Sequence, residues 1–148
     1  MKKTMSIEQV NERDKILFGT AFNMQNYPGG MRYFDTPIET VEALIEKGYL
    51  SPDGRKNNSP AVSEFIKFCK DHSDIKWLFH GFAVSPVRGD TEIVIEGIHS
   101  TIMVYLPRCN GKTLYLGDIA RCKEDFERVF ANADELVTNE QYLWCWYD

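Results

Sequence analysis

The feature that most constrains this chain is a change of period at Lys76. Before it, apolar residues recur at helical spacing: Ile38, Val41, Leu44 and Ile45, then Val62, Phe65, Ile66 and Cys69. After it, strand-like runs follow one another: Trp77 to Val84, Thr91 to Glu96, Thr101 to Leu106 and Thr113 to Leu116. Consecutive strands joined by short turns must pair antiparallel, because a parallel neighbour needs a crossover of roughly a dozen residues. Pro86 to Asp90 joins the first two runs. Asn110-Gly111, which readily adopts left-handed hairpin geometry, separates the last two. The order predicts an α+β fold: an antiparallel β-sheet, made of a meander plus a C-terminal strand, with about four helices packed mainly on one face.

The helices are signalled by their starts. Ser6-Ile7-Glu8-Gln9 has the form of a capping box, and Ile7, Val10 and Leu17 make a thin apolar stripe. Thr36-Pro37-Ile38-Glu39 combines a second box with an N1 proline, and Gly48 ends that helix. A third helix opens at Ser59-Pro60, and Asp118 is placed to cap a fourth that buries Ile119, Cys122, Phe126, Val129 and Phe130. The segment from Asn23 to Phe34, with Tyr27-Pro28-Gly29-Gly30 at its centre, reads as a loop. Its paired glycines lack the Lys-Ser/Thr of a phosphate-binding loop. No repeat or linker interrupts the order, so residues 1–148 are expected to form one domain, long enough to bury a core without staples.

Charge and cysteine usage narrow the function classes. The net charge is −5, and no basic stripe is available for phosphates, so direct nucleic-acid binding is not expected. The two central helices do not make a helix-turn-helix, because their connection is far longer than the roughly 3–4 residues of that motif. No run approaches the roughly 20 apolar residues of a membrane span, and the N-terminus lacks the apolar stretch of a secretory signal. Cys69, Cys109, Cys122 and Cys145 are scattered without a close pair, as free thiols in a reducing cytoplasm would be. Cys69 and His72, with His80 and His99 downstream, lack a second closely spaced ligand pair, so neither metal nor cofactor is expected.

Four sets of side chains remain as candidates. Glu92 and Glu96 alternate with Ile93 and Ile95 and read as the solvated face of a strand. His80 shares parity with Leu78, Phe82 and Val84, which predicts a buried neutral imidazole bonded to backbone. Asn57, Asn58, His80 and Arg88 would, if they met at the helix–sheet junction, offer groups able to orient an anionic ligand. The terminal run Tyr142-Leu143-Trp144-Cys145-Trp146-Tyr147 is apolar on both faces and must be covered. As an inner strand it would meet core on both sides. At an edge, Tyr142, Trp144 and Trp146, with Asp148, would be anchors for a protein partner. An exposed aromatic edge invites aggregation, which favours the inner strand.

Asn57-Asn58-Ser59-Pro60, His80-Gly81-Phe82-Ala83-Val84-Ser85-Pro86 and the closing Trp144-Cys145-Trp146-Tyr147-Asp148 resemble a group of small bacterial proteins associated with mobile genetic elements. The resemblance follows element order over residues 36–148 and carries no residue role. It implies a bacterial cytoplasm and a mobile-element or phage setting, in which small acidic proteins act by binding another protein. The expectation is a non-catalytic protein-binding protein of inhibitor or immunity type. A small enzyme or ligand-binding domain is the alternative. Residues 119–148 carry seven acids, Glu124, Asp125, Glu127, Asp134, Glu135, Glu140 and Asp148, against Arg121, Lys123 and Arg128, which would speed encounter with a basic partner.

Overall fold

Alternation, turn chemistry and one long antiparallel ladder organise the molecule around a single sheet. The computed structural model describes residues 5–20, 30–84, 93–101, 114–139 and 142–148. Among them are four helices, α1 (Ile7–Phe18), α2 (Ile38–Glu46), α3 (Val62–Asp71) and α4 (Leu114–Val129). Five strands are present: β1 (Met31–Pro37), β2 (Trp77–Ala83), β3 (Ile93–Ser100), β4 (Glu135–Thr138) and β5 (Leu143–Trp146). The strands pair antiparallel in the order β1-β2-β3-β5-β4, an α+β fold.

Local chemistry explains most helix ends. Ser6 accepts from Gln9 N–H at 3.2 Å while Gln9 Oε1 accepts from Ser6 N–H at 2.9 Å, and Gly19 closes α1 in the left-handed region at φ 78°. Helix α2 starts at Ile38 without the predicted Thr36 cap. Thr36 belongs to β1, and its hydroxyl donates to Phe34 O at 3.4 Å. Helix α3 begins at Val62, later than Ser59-Pro60 predicted. Ser59 instead folds the preceding turn by accepting from Lys56 N–H at 2.8 Å, and Glu64 caps Ala61 N–H at 3.2 Å.

Three assignments from sequence are corrected. The predicted loop from Asn23 to Phe34 gives way at Met31 to β1, an edge strand whose alternation is hidden by a bulge between Tyr33 and Thr36, where Asp35 takes φ 54°. Thr113 to Leu116 is not a strand, since α4 is helical from Leu114; so short an apolar run fits either period. Strand β3 continues past Glu96 to Ser100, and β4 was not anticipated. The Thr101 to Leu106 run and the Asn110-Gly111 turn lie outside the described residues from 102 onward, as do Thr91 and Glu92.

The helix-covered face of the sheet is largely aromatic. Trp77 stacks on Phe126 at 5.6 Å and meets Phe68 edge-on at 5.4 Å, while Phe68 meets Phe130 at 5.0 Å. Phe79, Ile93, Ile95, Ile98, Leu143, Cys145 and Tyr147 continue this core across β2, β3 and β5, and Val41 and Leu44 join it from α2. Strand β5 is thus interior, as its composition favoured. Only its odd-numbered side meets the core, however; Tyr142, Trp144 and Trp146 face the other way and are half-buried.

Candidate functional site

The helix-free face is built by the period of the strands. Arg32 and Phe34 from β1, His80 from β2, His99 from β3, Trp144 and Trp146 from β5 and Glu135 from β4 lie on it, opposite the core-facing residues. An open cleft of about 280 Å³ crosses this face, lined by Arg32, Phe34, His80, Glu135, Trp144 and Trp146.

At its floor, Gly97 leaves room for the His80 ring to lie across β3. A Cβ at Gly97 would stand 2.7 Å from His80 Nε2 and 2.0 Å from Cys145 O. His80 reaches over it to Cys145 O at 2.9 Å and meets His99 Nδ1 at 3.0 Å through its own Nδ1. His99 Nε2 in turn lies 2.8 Å from Asp35 Oδ1. The Trp144 ring stacks on His80 at 4.1 Å and 7°. Its Nε1 is buried and has no acceptor among the described residues.

A carbonyl and a carboxylate only accept, so the hydrogens of the two outer contacts are carried by His80 Nε2 toward Cys145 O and by His99 Nε2 toward Asp35. Burial pushes His80 down to about 3, and the neighbouring His99 adds to the effect.

A second cluster forms at the β3 bulge. His80 pairs with Gly97 and Gly81 with Ile95, which leaves Glu96 as the additional residue. Its carboxylate is fully buried, accepting from Arg32 Nη1 at 2.6 Å and from Lys56 Nζ. The solvated role predicted for Glu96 is therefore incorrect, because the bulge breaks the alternation on which it rested. Lys56 also lies over Phe82 at 5.2 Å and 3.9 Å from Asp148 Oδ1. Arg32 and Lys56 are in this way matched by Glu96 and Asp148.

Of the predicted ligand group, Asn57 donates to Asp148 O, and Asn58 O accepts from Asn132 Nδ2 at 3.1 Å. His80 is engaged with Cys145 and His99, and Arg88 lies outside the described residues. No hydrogen bond joins the asparagines to His80. Near the interhelical loop, a pocket of about 50 Å³ lined by Leu50, Gly54, Val62, Ile93 and Ile95 is well below the roughly 300 Å³ of a typical ligand site. Of the predicted partner-binding group, Trp144 and Trp146 line the cleft. Tyr142 lies 6.4 Å from Trp144, and Asp148 closes the Glu96 cluster, its N–H donating to Asp134 Oδ2 at 2.8 Å.

The described thiols are not poised for chemistry, and Cys109 lies outside the described residues. Cys69, Cys122 and Cys145 are buried in the core, and burial pushes the last two up to about 12. His72 lies 3.3 Å from Asp125 rather than pairing with Cys69. Sequence reasoning missed Asp35, Arg32 and Lys56, named Glu135 only as part of the acidic excess, and named His99 only as a possible metal ligand. The available signal was the β2–β3 register, which sets Leu78 opposite His99 and so brings the two histidines onto one face. Comparison with protein-family models, curated proteins and solved structures yields no significant match.

Proposed function

We propose that this chain is a non-catalytic binding protein, of inhibitor or immunity type, that holds a protein partner against the helix-free face of its sheet. The setting is the bacterial cytoplasm and mobile element that its resemblance implies. The observation that carries the reading is the pair Trp144 and Trp146, held by an interior strand yet half-exposed along a cleft. Large aromatic side chains fixed by a rigid scaffold are the side chains that dominate binding energy at protein interfaces. The groups that could do chemistry support the same reading, since both His80 nitrogens and both Glu96 oxygens are occupied within the fold.

The test is site-specific photo-crosslinking in the native host. A benzophenone side chain at Trp146 should give a discrete protein adduct, whereas one at Glu124, exposed on α4, should give none. Adducts from Glu124 alone, or none from a folded Trp146 variant, would overturn the reading.

A further inference from the structure

We infer that the cleft receives an arginine side chain from a basic protein partner, with Trp144 and Trp146 as the stacking surface and Glu135 as the counter-charge. This rests on the protein-binding reading above and adds the chemistry of the partner.

The first argument is the charge left over in the cleft. Arg32, the one cation among the described lining residues, already donates to Glu96 at 2.6 Å, and the Arg32 and Lys56 pair is matched by Glu96 and Asp148. Asp35 is engaged at 2.8 Å with His99 Nε2. Glu135 is exposed at the cleft, and among the described residues its carboxylate has no ion-pair partner. An anionic ligand would meet that carboxylate and a cation already engaged.

The second argument is shape. His80 stacks against Trp144 and holds its indole in place, and Trp144 and Trp146, two residues apart on one strand, both line the cleft. Register places Glu135 directly opposite Trp146, so the carboxylate borders the aromatic surface. A guanidinium satisfies both: its plane stacks on an indole and its edge donates two hydrogen bonds to one carboxylate. An ammonium offers a point charge without the stacking plane. The surrounding acids, Asp134 and Asp148 with Glu140 in the sequence, stand in a segment from 129 to 148 that contains no lysine or arginine, which favours a basic partner.

The experiment uses the full chain and glycine-flanked peptides that differ at one central residue: arginine, citrulline, lysine or glutamate. Binding is followed by NMR at the tryptophan indole N–H signals. The arginine peptide should shift Trp144 and Trp146 and leave the core residue Trp77 in place. Citrulline, nearly isosteric but uncharged, should bind about tenfold more weakly, as should the arginine peptide to Glu135→Gln. Glu124→Gln on the helix side should change affinity less than twofold. Equal binding of citrulline, preference for glutamate, an unaffected Glu135→Gln, or no response to arginine would each overturn the inference. Crosslinks at Trp146 without an arginine response would leave the binding reading standing and sink this one; absence of both would remove both.

Discussion

Replacing Gly97 by alanine tests the floor of the cleft with one methyl group. Gly97 is outside the left-handed region, so an alanine is not strained by its own backbone. Space is the issue. The new carbon would stand 2.0 Å from Cys145 O, a backbone atom of the adjacent strand, and 2.7 Å from His80 Nε2. Relief requires β3 and β5 to separate and the His80 ring to tilt. Overpacking of this kind costs about 1–3 kcal/mol, and loss of the His80–Cys145 hydrogen bond adds about 1 kcal/mol. A destabilisation of about 3 kcal/mol is expected, or a fall in melting temperature of roughly 6–12 °C for a chain of this size. Urea unfolding followed by circular dichroism measures it. Tryptophan emission should change in the native baseline as well, because Trp144 rests on the displaced ring. A Gly97→Ala protein within about 0.5 kcal/mol of the parent, a typical surface effect, would refute the packing argument.

Two further outcomes follow from the same site. His80 is depressed from the free-chain value of 6.5 to about 3, so the unfolded chain takes up its proton first; the stabilisation is complete above pH 6.5 and is lost as pH falls toward 3. Stability should therefore drop by up to about 1.4 kcal/mol per pH unit across that window, and a folded His80→Gln variant should show a shallower slope between pH 6.5 and 4.5; an unchanged slope would contradict the assignment. Glu96→Gln, which keeps shape but leaves Arg32 and Lys56 without their buried carboxylate, should cost about 2 kcal/mol, less than the roughly 3–5 kcal/mol of a fully buried pair because Arg32 is 55% exposed and can turn to water. Denaturant midpoints would check it, and a stability equal to the parent's would show that the cluster contributes nothing.

The fold was legible where local signals and burial agreed. Ser6 to Gln9 capped a helix as written, because both bonds of that box are made within four residues. The terminal aromatic run was read as an interior strand because two apolar faces cannot end in water. The sequence misled where a single residue interrupts a period. Asp35 at φ 54° separates Tyr33 from Thr36 and hides β1, and the extra residue at Glu96 turns an apparently solvent-facing position into a buried one. A bulge leaves almost no mark in composition, yet it reverses the face of every residue that a counting argument assigns beyond it.

The site was less legible than the fold because its members are joined by register rather than by spacing. Arg32, Lys56, Glu96 and Asp148 come from β1, the interhelical loop, β3 and the chain end, and nothing in any one of these segments points to the others. The histidine pair could have been reached by one more step, since pairing Leu78 with His99 fixes His80 diagonally beside it. Asp35 could not, because it depends on the β1 bulge. The same dependence explains what the site has left over. Among the described residues, Arg32 and Glu96 find each other across strands, whereas the carboxylate of Glu135, on the edge strand β4, finds no cation. Strand β4 has a neighbour on one side only, β5, which sets a tryptophan opposite Glu135. The carboxylate and the aromatic surface thus have a common origin in the sheet order, and a partner that supplies a planar cation completes both.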